Sequence, residues 1–347
     1  MRARLKRSLT WHALAPAWGA AVVAVLGCGL PLLLGLLTNH SGFLWAAIGA
    51  FQAGLSNPLH RLGMLRMLLL IALGACSAGT GFWVATQPLA SLLAFATLGY
   101  LLAWLQRYGN ESGKLGIGLA VCLGLGQGLH GVGDLHNPYA VATLFALGGL
   151  WVMLLAFILR GMHGLRMWPA LPRLKGLFRV LRRYAWRLPQ QRWLLHASGC
   201  SVAAGLAGLV VSLAQLSHGY WLTLCVLTAL QLDAQFSLRR VFERCFASLL
   251  AALLLGLLGH ALQSPALLVA TVLPLIFLSR AFLAHRYGLF VLQTTLCFVL
   301  LAESLSPDWQ LAMLRLQNSV LGVGLVLLVA GGLALVQRWQ RKPAPAL

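Results

Sequence analysis

SHGYWLTLCVLTALQLDAQFSLRRVFERC, residues 217–245, is apolar from Tyr220 to Leu232 and then turns charged at Asp233, Arg239, Arg240, Glu243 and Arg244. A paler copy, HSGFLWAAIGAFQAGLSNPLHRLGMLR, occupies residues 40–66. Each is a short apolar run that meets arginines at its end. Whether these two runs cross a membrane or turn back inside it fixes the topology of everything around them.

The rest of the chain supplies the context. Of its 347 residues, 60% are hydrophobic and 9% charged, against about 25% charged in a soluble globular protein. Apolar runs near the roughly 20 residues that a spanning helix needs recur throughout. They fall at about 13–37, 41–57, 64–86, 88–106, 113–131, 138–160, 194–216, 218–233, 241–262, 264–284, 287–304 and 311–337. The expected fold is an all-α polytopic membrane protein of about twelve transmembrane helices. The first run is as long as a full span and lacks a small-residue cleavage pattern, so a retained helix is expected and not a signal peptide.

The charges decide the two short runs. If MRARLKR at the N terminus is cytoplasmic and all twelve runs span, 25 of the 26 Lys and Arg residues fall in the tails and in loops facing the cytoplasm. The opposite loops, TNHS, TQP, GVGDLHN, AQLS, QSP and ESLSPD, hold none. This is the positive-inside pattern. Turning either short run back would invert every following segment and destroy the sorting. The expectation is a plasma-membrane protein, bacterial inner membrane by the resemblance below, with both termini cytoplasmic. The same sorting assigns the net charge of +20 to topology and argues against a nucleic-acid partner.

Six spans, a basic linker and six more spans make the two halves parallel repeats. His40 and Trp45 correspond to His218 and Trp221, Gln52 to Gln231, Asn57 to Asp233, and Arg61 and Arg66 to Arg239 and Arg244. Arg107-Tyr108-Gly109 is matched by Arg286-Tyr287-Gly288. The expected division is a first repeat at 1–160, a linker at 161–193 and a second repeat at 194–347. Within the linker, Leu174, Leu177, Phe178, Leu181, Tyr184, Ala185 and Leu188 share one helical face, opposite Lys175, Arg179, Arg182, Arg183 and Arg187. Such a helix lies on an anionic leaflet, as a strap between the halves or as a docking site.

Enzyme signatures fail on inspection. GNESGKL at 109–115 is one residue short of a phosphate-binding loop, and Leu115 stands where Ser or Thr would hold magnesium. Gly126-Gln-Gly128-Leu-His-Gly131 has the letters of a dinucleotide motif but closes a membrane span and follows no strand. No two of the ten histidines are four residues apart, and the seven cysteines form no CxxC pair, so no metal site and no cofactor are expected.

A Trp near the start of a short helix, Gln-x-Asp at its end and Arg-x4-Arg leading into the next helix resemble the fusaric acid resistance-like family. The residues are Trp221, Gln231, Asp233, Arg239 and Arg244, joined by Arg315 and Gly322 in RLQNSVLG. Ala247-Ser248 and Asn318 stand where the family usually has Gly-Thr and an acidic residue. The resemblance implies export of aromatic carboxylic acids, a distant relation to plant malate transporters, and a periplasmic adaptor protein as a partner. A homo-oligomer is left open.

Several residues carry two readings. Arg61, Arg66, Arg239, Arg240 and Arg244 line an anion vestibule, or simply obey the positive-inside rule. Arg315 belongs to the outer half of an anion path, or pairs with Glu303 or Asp308. Trp45 and Trp221, with Gln231, contact an aromatic substrate, or the tryptophans anchor at the lipid interface. His40 and His218, with Asp233 and Glu303, are candidates for proton coupling. The function expected is secondary export of small organic anions driven by a proton gradient or the membrane potential. A passive anion channel and a membrane scaffold are the alternatives.

Overall fold

A computed structural model describes residues 17–56, 63–108, 110–130, 135–162, 190–216, 218–229, 264–282 and 311–340, with 243, 246–247, 249–251, 253–254, 292–293 and 296. The described chain is helical, with no strand among the described residues. In order, the helices are α1 (Trp18–Thr38), α2 (Phe43–Gly54), α3 (Gly63–Val84), α4 (Pro88–Arg107), α5 (Asn110–Gly128), α6 (Pro138–Met162), α7 (Gln190–Leu213), α8 (Tyr220–Ala229), α9 (Pro265–Ala281) and α10 (Leu311–Gln340). The expected spans at 241–262 and 287–304 lie largely outside the described residues. So does the linker between Met162 and Gln190. α6 and α7 each extend a few residues into the 161–193 expected for that linker.

Local chemistry sets the helix ends. α4, α6 and α9 all begin with proline, whose missing N–H costs nothing in a first turn. Ser264 caps α9 by accepting from the Leu267 amide at 3.2 Å. α1 ends where Asn39 takes a left-handed conformation, a common helix stop.

Among the described residues, six helices are long and apolar enough to cross a membrane: α1, α3, α4, α6, α7 and α10. Their outer faces carry large apolar side chains in the open, Leu328 at 75% and Tyr139 at 80% exposure among them. On α7 the exposed residues Leu194, Val202, Leu206, Val210 and Leu213 form one stripe, while Trp193, Ala197, Cys200, Ala203, Ala204, Ala207 and Val211 face inward. A surface this apolar belongs against lipid. The protein is a multi-pass membrane protein.

The two short helices differ from the rest. Every residue of α2 from Trp45 to Gly54 and of α8 from Tyr220 to Leu227 is buried. α2 has 12 residues, about 18 Å at 1.5 Å per residue, less than the roughly 30 Å hydrocarbon layer. The span expected over 41–57 is therefore helical only in part. Protein surrounds α2 on all sides, so its backbone need not match the thickness of the lipid.

α2 packs on α1, α3 and α6, and α8 on α5, α7 and α10. α1 also meets α6, and α7 meets α10. Besides α5 with α8, the described early helices meet the late ones where α4 packs on α7 and α1 on α9. These last two contacts are chemically unlike. α1 and α9 meet through Trp18 stacked on Phe277 at 5.6 Å and through the Ala17 amide, which donates to the Ala281 carbonyl at 3.1 Å.

α4 and α7 meet through a ladder of polar contacts. Ser201 Oγ donates to Ala96 O at 2.9 Å, Ser91 Oγ to Gly208 O at 2.8 Å and Trp193 Nε1 to Ala103 O at 3.3 Å. Gln127 of α5 joins them, its Nε2 donating to Ser91 Oγ at 2.7 Å and Gly208 O at 3.0 Å. Gln127→Leu should nevertheless cost less than about 1 kcal/mol. The Ser91–Gly208 bond survives, and the buried Oε1, which has no partner, disappears. A melting midpoint far below that of the parent protein in detergent would show instead that the amide holds this seam together.

Candidate functional site

Arginine at the ends of α3 and α9 forms the most unusual polar feature of the described bundle. Arg66 lies in the first turn of α3, half-buried, and its Nε donates to Ser56 Oγ at 3.4 Å, just beyond the end of α2. Arg280 lies in the last turn of α9. It is only 5% exposed, and its Nε is buried without an acceptor. The two guanidinium groups are near enough for their like charges to act on one another.

The burial of Arg280 follows from spacing. Leu268, Val272 and Ile276 face the core, each four residues from the next, and four-residue steps keep a helix on one side. Arg280 continues that row. Its burial is thus dictated by the same stripe that seats α9 against α1, and only the last position is charged. Sequence reasoning counted Arg280 as a topology residue and missed it. The apolar row leading to it was the available signal.

The other expected residues sit as follows. Arg61, Arg239, Arg240, Arg244, Gln231, Asp233 and Glu303 lie outside the described residues. Arg315 lies in the second turn of α10. Trp45 and Trp221 are 3% and 4% exposed and belong to one apolar cluster with Phe82, Phe145, Tyr220 and Leu268. Trp45 meets Phe82 edge-on at 6.3 Å, and Trp221 lies 4.4 Å from Tyr220. Neither tryptophan is an interface anchor. All-round packing of the short helices draws both rings inward.

His40 and His218 occupy matching turns but differ in conformation. His40 is exposed, and its Nδ1 accepts from the Gly42 amide at 3.1 Å. His218 is left-handed, with φ of 55°. Its carbonyl accepts from Trp221 N at 3.2 Å and from Asn318 Nδ2 at 3.3 Å, linking this turn to α10. Among the described residues, no group of three His, Cys, Asp or Glu side chains is placed to hold a metal ion.

Comparison with known proteins agrees with the resemblance. Residues 206–329 match a family model described as fusaric acid resistance protein-like, so the chain carries such a domain. The matched stretch contains Trp221, Gln231, Asp233, Arg239, Arg244, Arg315 and Gly322, the positions on which the resemblance rests. No curated protein and no solved structure gives a significant match to the chain.

Proposed function

We propose that this chain, carrying a fusaric acid resistance protein-like domain over 206–329, is a bacterial inner-membrane exporter of small organic anions, aromatic carboxylates first. In this reading 1–160 and 194–347 are two parallel six-helix repeats, joined by a basic linker helix on the cytoplasmic leaflet. The reciprocal packing supports the duplication: the fourth run of each half (α4, α9) meets the first run of the other (α7, α1). Matching short helices in two repeats are also where a transporter is expected to place its substrate.

The observation that carries the functional reading is an arginine in each half at the end of the bundle that the charge sorting assigns to the cytoplasm, Arg66 in the first turn of α3 and Arg280 buried in the last turn of α9. An acidic substrate would be concentrated there. The membrane potential, negative inside, then favours exit of an anion by about 2.3 kcal/mol per charge per 100 mV. The buried aromatic cluster of Trp45, Trp221, Tyr220 and Phe82 favours a carrier over a channel. An aryl group reaches those rings only if the halves move apart, which a carrier cycle requires.

Flux of labelled benzoate in proteoliposomes tests this, with pH gradient and potential imposed separately. Saturable flux, lost in the Arg240→Ala/Arg244→Ala double variant, is the expected result. Unsaturable flux that follows the potential alone identifies a channel. A folded protein that moves no anion under either gradient overturns the reading.

A further inference from the structure

We propose that His196 is the proton-binding residue of the exporter, set in the seam between α4 and α7. The inference deepens the transport reading and rests on it for the anion whose movement the proton drives. His196 lies in the second turn of α7, half-buried. Its Nε2 stands 3.1 Å from Oε1 of Gln106, in the last turn of α4. An amide oxygen only accepts, so Nε2 carries the hydrogen and Nδ1 keeps a lone pair. Among the described residues, the partner of Nδ1 is Cys200 Sγ at 3.9 Å, a weak contact. The ring is therefore ready to take a second hydrogen, and histidine is the side chain that does so near neutral pH.

The bridge is a poor structural device. Gln106 gives its oxygen to the ring, while its Nε2 is buried without a partner, which is unfavourable. Bonds from Ser201 to the Ala96 carbonyl and from Trp193 to the Ala103 carbonyl already hold the same seam. A polar side-chain pair added to them, at a net disadvantage, points to a role other than stability.

A proton added here makes a cation in unfavourable company. α4 and α7 hold no Asp or Glu. Arg107 follows Gln106 and lies over the Trp193 ring at 4.7 Å, one turn before His196, with Tyr100 edge-on to the same ring at 5.9 Å. α5 reaches Gln106 at Gly113, and α10 reaches α7 at Gly199. Those helices bring Glu111 and Lys114 in the opening turns of α5 and Arg338 in the last turn of α10, and α7 itself brings Arg192. One acidic residue thus stands against four basic ones.

The consequence is mechanical. In the two-repeat reading α4 and α7 belong to opposite halves. Neutral His196 bridges them, whereas protonated His196 is a partly buried charge among like charges, and it weakens this end of the seam. The proton binds the separated state better and so biases a two-state equilibrium, as a coupling ion must in a carrier. Sequence reading looked to His40 and His218 for this role. Neither lies between α4 and α7.

The test begins with the full chain in nanodiscs, its melting midpoint read from about pH 7.5 to about pH 5.5. Over that interval the parent should lose about 2–4 °C more than His196→Gln, because glutamine offers Gln106 a polar partner and takes no proton. Gln106→Glu should shrink the loss while keeping His196, since a carboxylate facing the ring offsets the new charge. A residue that merely packs would not respond to that change. Identical pH profiles in the parent, His196→Gln and Gln106→Glu overturn the proposal. Should His196→Gln fail to accumulate, Gln106→Glu against the parent carries the comparison.

Flux separates this site from the exporter reading. Labelled benzoate flux in proteoliposomes, above that of protein-free vesicles, should be accelerated by an imposed pH gradient in the parent. That acceleration should vanish in His196→Gln. Acceleration retained in full by His196→Gln, or absent from the parent, removes the coupling role and leaves the exporter. Differing pH profiles in a parent that moves no benzoate under any gradient sink the exporter and leave the proton site.

Discussion

Gly148→Leu should leave almost no folded protein in a detergent extract, and Gly322→Leu should do the same, whereas Gly324→Leu should behave like the parent. At Gly148 an added Cβ would overlap the Ala46 carbonyl, and at Gly49 the Phe145 carbonyl, so α6 and α2 cross backbone to backbone. At Gly322 it would press on Leu222 O and on Cys225, where α10 crosses α8. A Cβ at Gly324 meets nothing within 4 Å. Overpacking a core against side chains costs about 1–3 kcal/mol because they can turn aside. A carbonyl fixed in a helix cannot, so the cost here lies above that range. Small residues are what permit such close crossings in membranes. Size-exclusion profiles of the three variants decide the matter. Equal behaviour of Gly322→Leu and Gly324→Leu would mean that α10 does not cross α8 at Gly322.

Trp221→Ala should destabilise the fold by about 3 kcal/mol, and Trp45→Ala by a similar amount. Each removes a buried ring from the same apolar cluster and leaves a cavity. The figure is the lower end of the soluble range, because lipid tails already offer the removed atoms an apolar solvent. Thermal or dodecyl sulfate titration of the folded fraction reads the effect. Trp45→Phe should recover most of the loss. A Trp45→Ala protein with unchanged stability that no longer carries benzoate would make the ring a substrate contact first and a core residue second.

The residues of the two short runs show what sequence can and cannot convey. Their unbroken apolarity was legible, but their burial on every side came to light only in the packing. Their ends were not, since the 12 residues of α2 run only from Phe43 to Gly54, inside the stretch 41–57 read as apolar. Hydropathy cannot distinguish a helix that touches lipid from a turn enclosed by protein. The same ambiguity left Trp45 and Trp221 open between a substrate contact and an interface anchor, because tryptophan is equally at home in a headgroup layer and in a core. Arg66 was read as a site candidate from its place in a repeated motif. Arg280 lies in no motif and became visible only once the row of Leu268, Val272 and Ile276 was seen to be buried. The pairing of α4 with α7 and α1 with α9 was also beyond reach, since period and charge describe helices singly.

The shortness of α2 has an electrical consequence. Voltage falls across whatever low-dielectric material separates two conducting solutions. Wherever water reaches both Gly42 and Ser56, that material is the roughly 18 Å length of α2 and not the full thickness of the bilayer. The local field is then more than half again as steep as in the surrounding lipid. An anion moving along this helix would traverse the whole membrane potential in a few ångströms more than three helical turns, so charge movement there should register as a large electrical distance in a voltage-step recording.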